Sequence, residues 1–251
     1  MPLVAELEGT PSDAAPEVLA TGRSDITCMF VSMSARHPEG RDAEYLRWQC
    51  FDHRPEQYRL ASMRSSIRLV STPACRAARA ASVHPFDDVD HVMTYFFAET
   101  AGLREFGDLS AALRGAGRTP YVLPAVQRGV YGVDGVAAAP RAKVGADVLP
   151  WRPARGTFLL LEQGSAPPGS LIDIEGVAGA WWHAGAAVHE PIRADHRGLQ
   201  LTYLFLHDDP VDVAARLAPA LSQRWKETDV VPLLAAPFYA VVPFEWDRHL
   251  P

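Results

Sequence analysis

The sequence predicts an α+β fold built from two successive βαββαβ units. Three observations lead there: short apolar strands and amphipathic helices follow one another in the same order twice, the phrase Thr94-Tyr95-Phe96-Phe97 returns as Thr202-Tyr203-Leu204-Phe205 at the same point of that order, and a Gly/Ala/Pro-dense stretch separates the two runs.

Taken in order, Ile26 to Ser34 is short, apolar and β-branched, which predicts a buried strand. His37, Pro38 and Gly40 punctuate a turn. Arg41 to Phe51 has helical spacing, with Tyr45, Trp48 and Phe51 along one face, and Pro55 is expected to end or kink that helix because it has no amide to donate. Ser65 to Thr72 alternates as a second strand and Asp90 to Glu99 forms a third. A helix from Ala101 to about Arg114 carries Leu103, Phe106, Leu109 and Leu113, with Gly115 and Gly117 placed to stop it. Tyr121 to Val133 closes the unit with a strand.

The order then restarts. Gly156 to Gln163, Val177 to His189 and Gly198 to His207 read as strands, with at most a short helix before Gly176. Asp209 and Pro210 make an N-cap and first-turn pair for a helix bearing Ala214, Leu217, Ala218, Leu221 and Trp225. Phe238 to Trp246 supplies the last strand. The predicted organisation is a mobile tail over residues 1–21, a first unit over 22–134, a linker over 135–155 and a second unit over 156–251. Each βαββαβ unit gives a ferredoxin-like antiparallel sheet with its helices on one face, and the bare apolar faces of two such sheets can cover each other.

Composition narrows the function. The net charge of -6 argues against nucleic acid, which requires a basic face. No apolar run is long enough for a membrane span, and the N-terminus lacks the basic start and apolar run of a signal peptide. Cys28, Cys50 and Cys75 form no paired motif and read as reduced thiols of a cytoplasmic protein, with Cys50 the one to test for reactivity. Phosphate-binding loops, nucleophile elbows and zinc signatures are missing from the sequence.

The segment EYLRWQCFDHRPEQY resembles the first-helix motif of the EthD-like branch of the dimeric α/β barrel superfamily: an aromatic residue, two residues, Trp, four residues, His, one residue, Pro-Glu. Tyr45, Trp48, His53, Pro55 and Glu56 fill those places, while Gln49 stands where the family often has Tyr. EGVAGAWWH, ending at His183, is similar to strand-entry segments of tandem members. The resemblance implies a pseudo-dimeric barrel in one chain, a pocket between sheet and helices, and cofactor-free acid/base chemistry in bacterial catabolism or secondary metabolism. Relatives that use haem share the fold, so haem is the alternative, with His183 or His53 as axial ligand.

Among the candidate residues, His53 titrates near neutrality and can move a proton at the edge of an apolar pocket. The catalytic set is completed by His37, after the first strand, and Tyr95, able to donate to a substrate oxygen. Tyr45, Trp48, Arg68, His91, Trp182 and His183 are the expected substrate-binding residues. Arg68 suits a carboxylate or enolate. Trp181 and His183 should face one side of their strand and Trp182 the other. The expected ligand is a small hydrophobic carbonyl, aromatic, polyketide-like or terpenoid-like compound, with no metal. The rival function is a non-catalytic module that binds a hydrophobic ligand or a partner subunit. The sequence leaves open whether the chain forms a homodimer.

Overall fold

The structure is a computed structural model that describes residues 11–186 and 196–251. Among the described residues nine strands form one sheet: β1 Cys28–Ser34, β2 Met63–Val70, β3 Ala81–Ser82, β4 His91–Phe97, β5 Ala125–Ala138, β6 Gly156–Gln163, β7 Val177–Gly185, β8 Leu199–Leu206 and β9 Val231–Ala240. The helices are α1 Pro16–Thr21, α2 Asp42–Trp48, α3 Arg54–Gln57, α4 Pro73–Ala77, α5 Gly102–Gly115 and α6 Pro210–Glu227, with a π-helical turn, Gln49–His53, joining α2 to α3.

The strands run β2-β4-β1-β5-β7-β8-β6-β9 and close on themselves through β2 and β9, with β3 appended to β9. The chain therefore forms an antiparallel eight-stranded barrel. Taken by halves, the order is β2-β4-β1-β5 and then β7-β8-β6-β9, the same ferredoxin-like sequence of strands in each. Closure rests on two residue pairs, Leu69 with Ala240 and Val70 with Tyr239, whereas β6 and β8 pair over their full length.

Alternation along each strand sends one set of side chains inward and the other to the helices. Met29, Val31, Val92, Phe96, Leu159, Leu161, Trp181, Tyr203, Phe205 and Phe238 fill the barrel interior. Outside the second half, Phe158, Leu160, Leu204 and Leu206 pack directly on Val213, Leu217 and Leu221 of α6. Asp209 caps that helix as expected, its carboxylate accepting from the amides of Val211 and Asp212. Ala218 faces solvent, however, and Arg224 takes a buried place against Glu162 at 2.8 Å. Outside the first half, Phe30, Tyr95 and Phe97 meet Leu103 and Phe106 of α5.

Several expectations are corrected. The matching tetrapeptides lie on opposite faces: Thr94 and Phe96 point inward with Tyr95 and Phe97 outward, while Tyr203 and Phe205 point inward with Leu204 outward. A shift of one residue exchanges the faces of a strand, so these phrases are not equivalent positions. The stretch 135–155 is not a free linker, because β5 continues to Ala138 on β7 and a 3-10 turn covers Ala146–Trp151. The tail carries α1, and Asp13 accepts from the Ala146 amide. The last strand begins at Val231 rather than Phe238, and residues 187–189 of the expected β7 lie outside the described residues. Of the two outcomes expected at Pro55, the helix does not end there; the π turn just before it interrupts the α-helical pattern instead, and Pro55 stands in the first turn of α3.

Candidate functional site

A hollow of about 540 Å³ opens between the outer sheet face of the first half, α2 with its π turn, and α5. Its floor follows from register. Arg68 on β2 pairs with Met93 on β4, Met93 with Ser32 on β1, and Ser32 with Arg128 on β5, so these four form one row across the sheet. The next row toward α5 places Tyr95 beside Phe30, with ring centroids 6.5 Å apart, and Phe106 closes over Tyr95 at 4.9 Å.

The π turn builds the opposite wall. The Arg54 amide bonds to the Gln49 carbonyl, a five-residue closure that brings residues five apart onto one helical face. Pro55, one residue on, has no amide to complete an α-helical bond there. Trp48 and His53 therefore stack with centroids 4.9 Å apart, a meeting that a regular α-helix would not give. Tyr45 lies 5.8 Å and Tyr121 6.0 Å from the Trp48 ring, and the Trp48 indole donates to the Arg118 carbonyl at 3.2 Å.

At the floor, three buried groups from three elements form a chain. Asp42, in the first turn of α2, accepts from the His37 amide and from His91 Nε2, each at 2.8 Å. His91 Nδ1 is 3.0 Å from Arg68 Nη2 and accepts from it. With Nε2–H donating and Nδ1 accepting, the imidazole is neutral. Burial and the neighbouring guanidinium hold its pKa down at about 4, against the upward pull of Asp42. Burial raises the Asp42 carboxyl, but the bonds from His91 and His37 outweigh it and the net direction is down. Arg68 is 4% exposed, and among the described residues no carboxylate pairs with it; its other contact is the Tyr45 ring, 4.8 Å below the guanidinium carbon. A buried cation with no counter-ion is costly unless something else supplies the negative charge.

Two further groups carry protons. Burial lowers the His53 pKa, which favours a neutral ring at neutral pH. Its Nε2 lies 3.4 Å from the Gln57 amide nitrogen, and its Nδ1 is buried with no hydrogen-bond partner among the described residues. Burial drives the Tyr95 phenol well above its usual range, so its proton stays in place; Gln49 donates to its oxygen at 3.4 Å, leaving the hydroxyl hydrogen free to donate.

Of the nine residues expected from the sequence, His53, Tyr95, Tyr45, Trp48 and Arg68 line the hollow. His91 stands behind Arg68 and fixes it rather than facing a ligand. His37 stands apart and contributes its backbone amide to Asp42. Trp181 and His183 point into the barrel as their alternation predicts, which removes His183 from any outer pocket; its Nδ1 meets the Leu201 carbonyl at 3.2 Å. Trp182 lies on the other side, over Gly135, where an added Cβ would come within 2.1 Å of the indole. Cys50 is held as a thiol, burial pushing its pKa up. Sequence reasoning missed Asp42, Ser32, Arg114, Thr119 and Arg128.

Neither histidine expected as an axial ligand suits haem in the hollow: His183 faces the barrel interior beside Trp181 and Tyr203, and His53 has its Nε2 at the Gln57 amide with the Trp48 ring beside it.

No family model and no curated protein matches the chain. Among solved structures, it is similar to an anthrone oxidase-like protein, at 10% identity and a TM-score of 0.45 over 87% of this chain and 92% of that one. It is also similar to chlorite dismutase from Candidatus Nitrospira defluvii, at 10% identity and 0.47 over 90% and 96%, and to a dye-decolorizing protein from V. cholerae, at 9% and 0.45 over 87% and 94%. The ferredoxin-like strand order is read from the sheet itself. Among the described residues no helix is long and apolar enough to cross a membrane.

Proposed function

We propose that the hollow is the active site of a cofactor-independent acid/base enzyme of isomerase, lyase or cyclase type, acting on a small hydrophobic carbonyl compound. The observation that carries this reading is Arg68, a buried guanidinium without a carboxylate partner among the described residues, on the floor of an aromatic-walled cavity. Such a group is poised to stabilise negative charge that develops on a carbonyl oxygen. Tyr95, kept protonated by burial, is a second donor. His53, kept neutral, takes a proton from the carbon next to the carbonyl and returns it to the rearranged product. Trp48 and Tyr45 hold the flat face of the ligand. Within the same reading the chain is a pair of fused ferredoxin-like units, an EthD-like pseudo-dimeric barrel, and it works in the cytoplasm with its three thiols reduced.

The test is hydrogen exchange at carbon. In D2O, the protein should accelerate loss of the methyl proton signal of 2-acetylnaphthalene, a flat enolisable ketone that fits the hollow. His53→Ala should cut the rate by about 100-fold or more with the thermal midpoint unchanged. A full rate in His53→Ala removes the reading.

One observation favours a second reading, a binding module without chemistry: the Gln57 amide already occupies the His53 nitrogen that would act as base. In that case the ketone binds and its protons do not exchange.

A further inference from the structure

The charge on the cavity wall is one-sided. Among the described residues, Arg68, Arg114 and Arg128 line the hollow and no Asp or Glu does, in a chain whose net charge is -6. None of the three makes an ion pair among the described residues. Three arginines elsewhere do have close carboxylate partners, Arg64 with Asp25, Arg216 with Asp208 and Arg224 with Glu162, each at 2.8 or 2.9 Å.

Their placement separates two roles. Arg68 and Arg128 stand at opposite ends of the row that runs through Met93 and Ser32. Four strands span three spacings, so the backbones at the two ends are about 14 Å apart. Arg68 is buried and held by His91, whereas Arg128 on β5 and Arg114 in the last turn of α5 are exposed residues that also line the hollow. Two long side chains reaching inward from that separation leave room for a body one or two rings long. Between them the floor is a thioether and a hydroxymethyl group, and the walls are Trp48, Tyr45, Phe30 and Phe106.

We infer that the ligand is an aromatic or polycyclic organic anion with oxygen at both ends: the reacting carbonyl at Arg68, and a carboxylate at the opposite end held by Arg128 and Arg114. This rests on the reading of the hollow as a ligand site and adds the charge and length of what enters it. The rim arginines also attract an anion that the overall charge of the chain repels. A neutral ketone would meet Arg68 through its carbonyl but give Arg114 and Arg128 no charge to pair with.

The experiment compares two probes that differ only in the second group, 6-acetyl-2-naphthoate and 2-acetylnaphthalene, by isothermal titration calorimetry. The acid should bind at least tenfold more tightly at low salt, and the margin should shrink as ionic strength rises. Arg128→Gln should bring the two affinities within about twofold of each other. Ala111→Trp, placed on the exposed side of α5 at the cavity wall, should abolish binding of both. Equal affinities in the unaltered protein, no binding of the acid, a preference that survives Arg128→Gln, or acid binding that survives Ala111→Trp would each overturn the inference. The exchange assay uses the neutral ketone and His53, so either result can fail while the other stands.

Discussion

Arg68 and His91 share a hydrogen bond of 3.0 Å inside the protein, and the imidazole passes the restraint on to Asp42. The arginine is thus positioned by a neutral group, and the nearest formal negative charge is one ring away. An arginine bonded directly to a carboxylate would be better compensated and less available to a ligand.

That arrangement predicts a trade between stability and binding. Arg68→Met removes a desolvated charge and keeps most of the volume, so the thermal midpoint should hold or rise, by about 1–2 kcal/mol of stability. Binding of 2-acetylnaphthalene should fall at the same time. Thermal melts and calorimetry on the one variant read both, and a large loss of stability would show that Arg68 is structural.

Acid should weaken the fold earlier than carboxylate titration alone would. His91 is held near 4 and His183 near 3, both below the ordinary value of 6.5. Below about pH 6.5 the unfolded chain takes up protons that the folded chain refuses, so their contribution is complete above that pH and is lost as pH falls toward 4. For His91 alone the difference is about 3 kcal/mol. Urea melts between pH 7.5 and 4.5 should show the decline, and His91→Gln should make it shallower, with His183 keeping its share; a level profile in the unaltered protein over that range contradicts the buried neutral assignment.

Arg224 makes a second buried guanidinium contact of the opposite kind. It meets Glu162 through Nε at 3.1 Å and Nη2 at 2.8 Å, and the Trp225 indole donates to the same carboxylate at 2.9 Å. Arg224→Met strands Glu162 and should cost about 3–5 kcal/mol. Probe affinities at the first-half cavity should not change, since α6 is not part of its wall; denaturant midpoints together with calorimetry check both halves of the statement.

Gly135 is required by contact. A Cβ there would lie 2.1 Å from Trp182, so Gly135→Ala should destabilise by roughly 2 kcal/mol, within the range for overpacking. In a Trp182→Leu background the same change should cost less than half as much. A double-mutant cycle measures that coupling, and additivity would mean that the glycine is needed for another reason.

Much of the fold was legible because its elements obey local rules. β1 and β6 each carry an apolar run, Cys28 to Val31 and Phe158 to Leu161, and α6 announces itself through Asp209 and Pro210. β9 was misplaced because Pro232 and Pro237 lie inside it. The strand tolerates them because the pairings on its outer edge, of Leu234 and Ala235 with β3 and of Tyr239 and Ala240 with β2, leave out Pro232 and Pro237, so no outer partner there needs an amide. The two-residue β3 is too short to carry a period.

The site was half legible for a related reason. Trp48 and His53 lie on one segment whose spacing is visible, although nothing local reveals that a π turn makes five residues a contact distance. Asp42 reads as an ordinary acid at a helix start, and Arg114 and Arg128 as ordinary surface cations. What distinguishes them is convergence from α2, α5 and β5, which depends on strand order and leaves no trace in spacing.

The two-pair junction between β2 and β9 bears on the cavity as well as on the barrel. The Arg68 carbonyl accepts from the Val241 amide at 3.1 Å, so the strand that carries the guanidinium is moored at the ring's thinnest join. Transient parting there would unseat the cation without disturbing the denser second half. Ligand occupancy at the floor should accordingly slow amide exchange at Val241, coupling the grip on a small molecule to the integrity of a seam on the far side of the same strand.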